Sequence, residues 1–74
     1  METVIDKVII ASDINNRDGV GVEIYKNGEM ITEIFRDDTE RSRTITLYKK
    51  EISLEVMEEC IRVFRRDVPW DFIT

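Results

Sequence analysis

The turn signal Asn27-Gly28 constrains the fold of this chain more than any other feature of its sequence. It lies between GVGVEIYK and EMITEIFRDD, two runs in which apolar and polar residues alternate. Both turn residues tolerate the positive φ angles that a type I′ turn requires. The signal therefore predicts a tight β-hairpin and, with it, an antiparallel sheet.

A simple two-residue turn also predicts which side chains share a face of that sheet. Ile24 then faces Ile31, and Val22 faces Glu33. One face would carry Val20, Val22, Ile24, Ile31 and Phe35, and the other would carry Tyr25, Met30, Ile34, Ile45 and Leu47. Both faces are apolar in this arrangement, so a single helix would leave one of them uncovered.

The rest of the chain completes the prediction of one α+β domain over residues 1–74. VIDKVIIAS and RTITLYKK are rich in β-branched residues and predict two further strands. A helical pattern follows, with Ser53 as its N-cap and Pro69 after its end. The prediction is a four-stranded antiparallel meander sheet, one C-terminal amphipathic helix and an apolar tail. The strands are expected at about 4–12, 20–26, 29–36 and 43–49, the helix at about 54–66, and the tail at 67–74.

The predicted helix has acidic residues near its start and basic residues near its end, which suits the helix dipole. Glu58 and Arg62 have the i,i+4 spacing of an ion pair. Cys60 lies on the apolar side of the helix, which favours a small buried hydrophobe over a reactive thiol.

The short length of the chain favours assembly. A domain of 74 residues buries only ~60% of the surface that its unfolded chain exposes. One cysteine allows no internal disulfide, and there is no histidine to bind zinc. Oligomerisation is therefore the remaining way to stabilise so small a domain. We expect a homodimer that covers the second sheet face, with an interface formed by the tail residues Val68, Trp70, Phe72 and Ile73. The alternative is a monomer whose tail folds back over its own chain.

Net charge and hydropathy indicate the cellular environment in which the protein is expected. The formal charge of −5 disfavours unspecific attraction to nucleic acid or anionic lipid. No apolar run approaches the ~20 residues needed to span a bilayer. With a lone cysteine and no basic segment ahead of an apolar run, the sequence predicts a soluble cytoplasmic protein.

The segment FRDDTERSRT is a candidate binding loop. Its acidic residues could hold a hard cation, or its arginines could bind a phosphate or a carboxylate. The balance of charges favours a solvated loop whose residues pair with one another, so no metal or cofactor is predicted. The residues concerned are Arg36, Asp37, Asp38, Glu40, Arg41 and Arg43.

Glu33 is the candidate for chemistry. The predicted register places it among apolar side chains, where a buried carboxylate could carry a proton. The favoured interpretation is that this face is the less buried one or that an arginine pairs with Glu33. The chain has no histidine and no recognisable pair of nucleophile and base, so we predict that it is not an enzyme.

Two resemblances accompany this interpretation. GVGVEIYKNGEMITEIFRDDTERSRTITLYKKEISLEVMEE resembles a class of small uncharacterised bacterial proteins, which combine an NGE hairpin, FRDD and a strand running into a helix. That class implies no activity. The order of elements and the run ITLYKKEISLEVMEE are similar to single-stranded-DNA-binding domains of the Whirly and positive-cofactor type, whose dimers form through helices. The acidic charge departs from that family.

The sequence thus supports two hypotheses of function. The first is a non-catalytic domain that associates with itself or with a protein partner. The second is a dimer that binds single-stranded nucleic acid through Arg36, Arg41, Arg43, Lys49 and Lys50.

Overall fold

A computed structural model describes residues 5–12 and 17–73 and confirms the α+β architecture. The strands run in the order β1-β2-β3-β4, and each pairs antiparallel with the next, so the sheet is a meander. The elements are β1 (Lys7–Ser12), β2 (Gly19–Lys26), β3 (Glu29–Asp37), β4 (Ser42–Leu47) and α1 (Leu54–Asp67). Residue 4 of the predicted first strand and residue 74 of the predicted tail lie outside the described residues.

The hairpin between β2 and β3 forms at the predicted turn. Asn27 and Gly28 both have positive φ, at 55° and 80°. This is the backbone conformation that a type I′ turn requires. Lys26 pairs with Glu29 directly beside the turn, and Tyr25 pairs with Met30 next to them, as the simple register predicts.

A β-bulge then changes the register of the hairpin. Ile24 pairs with Thr32, so Ile31 is an extra residue of β3. The predicted pairings of Ile24 with Ile31 and of Val22 with Glu33 are therefore wrong. Because an extra residue reverses the alternation of side chains, everything in β3 beyond the bulge changes face.

The bulge gathers the apolar side chains of the sheet beneath the helix. Val22 now faces Ile34, which in turn pairs with Ile45 of β4. The helix-covered face carries Val20, Val22, Ile24, Ile34, Ile45 and Leu47. The far face carries Gly21, Glu23, Tyr25, Glu33 and Phe35. The prediction of two apolar faces is thus wrong, because it assumed an uninterrupted register.

Helix α1 begins and ends at the predicted signals. Ser53 Oγ accepts a hydrogen bond of 3.2 Å from the N–H of Val56. At the other end, the N–H of Val68 donates to the carbonyl of Phe64, and Pro69 follows. The helix ends one residue later than predicted, at Asp67. Among residues 5–12 and 17–73, no helix is long and apolar enough to cross a membrane.

The core lies between α1 and the strands β2 and β3. The helix buries Val56, Cys60, Val63 and Phe64 in it. Cys60 is fully buried, and this burial, with the charge of Glu59, raises the pKa of its thiol to about 11. Cys60 is thus a buried apolar residue, as its position on the apolar side of the helix predicted. Arg62 pairs with Glu59 at 2.9 Å, so the ion pair has i,i+3 spacing instead of the i,i+4 spacing predicted with Glu58.

Candidate functional site

The C-terminal tail folds back on its own chain and contacts β3 and β4. Arg36 Nη1 donates a hydrogen bond of 2.8 Å to the carbonyl of Pro69. Arg43 donates to the carbonyl of Trp70 from Nε at 3.1 Å and from Nη2 at 2.7 Å. The charged loop and the apolar tail, which were predicted as separate candidates, therefore form one cluster. We call this cluster, Arg36, Asp38, Arg43 and residues 69–73, the tail clamp.

Asp38 holds the tail from its other side. Its Oδ1 accepts a hydrogen bond of 3.1 Å from the N–H of Ile73 and lies 2.9 Å from Nε of the buried Arg36. Burial alone would raise the pKa of Asp38. The bond from Ile73 and the positive charges of Arg36 and Arg41 outweigh that effect and lower the pKa. The clamp therefore favours the charged carboxylate.

Arginines also stack on the aromatic rings of the tail. The guanidinium of Arg43 lies 3.7 Å from the ring centre of Trp70 and 4.2 Å from that of Phe72. Arg65 lies 4.3 Å from the Trp70 ring, and Arg41 lies 5.0 Å from the Phe72 ring. Such contacts are favourable because the negative face of each ring attracts a cation. Three arginines are thus occupied in holding the tail.

The four tail residues predicted as an interface have different environments. Val68 is fully buried in the core of its own chain, so we remove it from any interface. Phe72 is half-buried in the tail clamp. Trp70 packs edge-on against Phe64, with ring centres 6.4 Å apart, but remains partly exposed, as does Ile73. The tail covers one end of the helix side of the sheet, and its remaining apolar surface faces solvent.

The other residues of the predicted binding loop have structural contacts. Asp37 Oδ1 accepts a hydrogen bond of 3.0 Å from the N–H of Glu40, which shapes the β3–β4 turn. Lys49 pairs with Glu29, and Lys50 is exposed. Within the described part of the chain, no group of three or more acidic or cysteine residues could hold a metal ion. Within the loop, Arg36 and Asp38 form an ion pair, and the other contacts of its charged side chains are with backbone groups or with the tail.

Glu33 is buried on the far face of the sheet, but an arginine pairs with it. Nη1 and Nη2 of Arg17 donate to its two carboxylate oxygens at 3.1 and 3.0 Å. The same guanidinium lies 3.8 Å above the ring of Phe35, whose backbone pairs with Gly21. The prediction that an arginine satisfies Glu33 is confirmed, whereas its predicted contact with Val22 is wrong. Sequence analysis missed Arg17, which precedes β2 and carries no motif.

A groove between β4 and α1 is the most conspicuous unfilled surface. Since the helix lies over β2 and β3, the side chains of Ile45 and Leu47 are about half exposed beside it. The groove has a volume of about 150 Å³. It is lined by Ile34, Ile45, Ile61, Phe64 and Trp70 and by two arginines, Arg43 and Arg65. We call it the β4–α1 groove. Sequence analysis missed it because the assumed register separated Ile34, Ile45 and Leu47 from the valines and Ile24 of β2, with which they share a face.

A larger pocket of about 280 Å³ lies at the hairpin turn and the start of α1. Its lining includes Glu29 and Lys49, which pair with each other. Ser53 also lines it, but its hydroxyl is engaged as the helix cap. These three side chains are engaged within the chain, and we assign no ligand to this pocket.

The tail clamp is expected to open in acid. Because the pKa of Asp38 is lowered in the folded chain, its contribution is present above the unfolded value of about 3.9 and is lost as the pH falls through the folded value. Trp70 fluorescence should shift to the red below about pH 4 as the tail leaves the helix. Asp38→Asn, which cannot be protonated in this range, should lack this acid step. The same step in both proteins would show that another group controls the tail.

Comparisons with known proteins found no matching family model, no matching curated protein and no matching solved structure. The two resemblances drawn from the sequence stay predictions.

Proposed function

We propose that this chain is a small non-catalytic domain that self-associates through the β4–α1 groove. The observation that carries the proposal is the set of large apolar side chains left exposed along β4, α1 and the tail. These are Ile45, Leu47, Leu54, Ile61, Trp70 and Ile73. Covering such side chains contributes about 25 cal/mol per Å² of apolar surface, which is substantial for a domain of this size.

The groove replaces the far face as the surface to be covered. The homodimer was predicted from a second apolar face that the bulge abolishes. On the actual far face, Phe35 is buried beneath Arg17, and Glu33 is paired with the same arginine. Ile9 stays 37% exposed there, but the side chains at the centre of that face need no partner to cover them. The exposed apolar surface lies on the helix side instead, because one helix is too narrow to cover four strands.

The contacts within the chain do not favour the hypothesis of nucleic-acid binding. Among its five cations, Arg36 is buried, Arg43 is bonded to the tail, and Lys49 pairs with Glu29. Phosphate binding requires cations that are available to replace counterions. Protein association uses the apolar groove and leaves these contacts intact.

Solution mass tests the proposal directly. At high micromolar concentration, light scattering should give twice the 8.8 kDa mass of the chain. Ile61→Glu places a charge in the groove and should return the mass to that of a monomer. The carboxylate would lose its hydration in the interface, and the arginines beside it, Arg43 and Arg65, are already engaged with Trp70. Circular dichroism should show that the variant keeps its fold, since Ile61 is partly exposed.

Ile10→Glu is the matched control for this experiment. Ile10 is also an exposed isoleucine on the helix side of the sheet, but it lies on β1, at the opposite edge. Its substitution should leave the dimer mass unchanged. A monomer mass for the unaltered chain would contradict the proposal, as would a dimer that Ile61→Glu does not dissociate. A labelled single-stranded oligonucleotide that binds with a steep salt dependence would favour the other hypothesis instead.

A further inference from the structure

Strand β4 presents an open edge beside the groove. In the described part of the chain, β4 pairs with β3 alone, and this pairing runs without interruption from Ser42 to Leu47. The N–H of Tyr48 donates to Ile31 on the β3 side. Backbone groups alternate in direction along an antiparallel strand, so those of Arg43, Ile45 and Leu47 point away from β3. The open groups form a ready template for another strand.

The sequence of β4 has one of the usual protections of an edge strand, the charged Arg43, and that side chain is bonded to the tail. SRTITL has no proline and no lysine, and β4 has no bulge. The opposite edge, β1, begins with Lys7, whose ammonium lies 4.7 Å above the ring of Tyr25. Of the two edges, that of β4 adjoins the β4–α1 groove.

We infer that the occupant of this edge is a second copy of the chain, whose β4 pairs antiparallel with this β4 about a two-fold axis at Ile45. This inference rests on the self-association proposed above and specifies its geometry. Ile45 then faces Ile45 of the second copy, and Arg43 faces Leu47. All three outward-facing residues of each strand exchange both of their hydrogen bonds in this register. A shift of two residues in either direction would leave some of these groups without a partner.

The charges on α1 complement themselves under the same two-fold axis. Leu54, Glu58, Ile61 and Arg65 follow one another at spacings of four, three and four residues, so they form one stripe on the helix. Ile61 and Arg65 line the groove, which places this stripe on the β4 side. The stripe is acidic towards its start and basic towards its end. A two-fold axis reverses its direction, so the acidic end of each copy lies on the side of the basic end of the other.

This arrangement also brings together the exposed apolar side chains of the two copies. Ile45 and Leu47 of both copies become neighbours on one face of a continuous eight-stranded sheet, where cross-strand apolar pairs stabilise the pairing. The two grooves meet over the joined strands. A second copy therefore satisfies the free backbone groups, the exposed side chains and the charge pattern together.

Disulfide cross-linking tests this register. Hydrogen-bonded partners in an antiparallel pair have Cα atoms about 5.5 Å apart, within the range that a disulfide can bridge. Under mild oxidation, Ile45→Cys should convert nearly completely to a covalent dimer at concentrations where the mass is dimeric. The native Cys60 can remain, because it is fully buried.

Two matched variants give the register its controls. Ile10→Cys replaces the same residue type on the same sheet face at the opposite edge, with an exposure of 53% against 47% for Ile45. Leu47→Cys lies on β4 itself, but its partner in the proposed register is Arg43 rather than Leu47. Both variants should cross-link only at the background rate. Circular dichroism should show that all three proteins are folded.

The possible failures are distinguishable. A dimeric mass with no preferential cross-linking of Ile45→Cys would overturn the β4 register and leave self-association standing. Cross-linking of Leu47→Cys in place of Ile45→Cys would overturn the axis at Ile45. A monomeric mass without cross-linking would overturn both the register and the proposed function.

Discussion

Replacing Phe64 by alanine is expected to lower the free energy of unfolding by about 3–5 kcal/mol. The ring of Phe64 is 2% exposed and belongs to the core between α1 and the sheet. Its removal leaves a cavity there and also takes away the ring against which Trp70 packs. Total stabilities of natural domains are about 5–15 kcal/mol, so the variant would lose a large part of its stability. Urea denaturation followed by circular dichroism measures the change.

Ile61→Ala is the matched control on the same helix. Ile61 is 36% exposed and lies in the groove instead of the core. At low protein concentration, where a dimer dissociates, this substitution should cost less than about 1 kcal/mol. Equal losses for the two variants would mean that the helix does not bury Phe64 in preference to Ile61.

Gly21→Ala is expected to cost about 3 kcal/mol, at the upper end of the range for overpacking a core. A Cβ atom at this position would lie 2.5 Å from the carbonyl oxygen of Ile34 and 2.7 Å from Cδ1 of Phe35. The first contact is with backbone of a central strand, which cannot move without disturbing its ladder. The ring of Phe35 is also confined, because Arg17 lies on its outer side.

Gly28→Ala is the control that separates this steric effect from the backbone effect of replacing a glycine. No atom lies within 4 Å of a Cβ atom built on Gly28, but its φ is 80°. Its replacement should cost about 1–2 kcal/mol, because a left-handed conformation is unfavourable for a residue with a side chain. Urea denaturation of both variants makes the comparison. A larger loss for Gly28→Ala would show that the close approach of β2 and β3 is unimportant.

Local signals were sufficient to predict the architecture. Asn27-Gly28 forms the predicted turn, Ser53 caps the helix, and Pro69 follows its end. Each of these residues acts through its own backbone or through neighbours within a few positions. The order of strands follows because short turns join adjacent antiparallel strands. Strand order and helix position therefore needed no knowledge of distant contacts.

The register was not predicted because it depends on packing against the helix. Ile31 and Ile34 are three residues apart, so strict alternation would place them on opposite faces. Both are buried in the core beneath α1, and this is possible because Ile31 is itself the extra residue of the bulge. The adjacent apolar pairs in EMITEIFRD were the available sign that the alternation of β3 is interrupted.

The tail clamp and the arginine of the far face lay beyond sequence reasoning for a different reason. Arg36 reaches Pro69, 33 residues away, and Arg17 reaches Glu33, 16 residues away. Neither pair has a characteristic spacing or motif. Their contacts follow from the register and from the path of the chain after α1, and both of these are set by the whole fold.

The burial of Cys60 gives this protein a reporter of its own opening. A thiol reacts as its thiolate, and burial both raises the pKa of Cys60 to about 11 and keeps reagents away from it. Alkylation at neutral pH must therefore wait until α1 separates from the sheet. When opening and closing are fast compared with the reagent, the alkylation rate is proportional to the fraction of molecules that are open. That rate measures the free energy of detaching the helix under native conditions, without denaturant and without an introduced label.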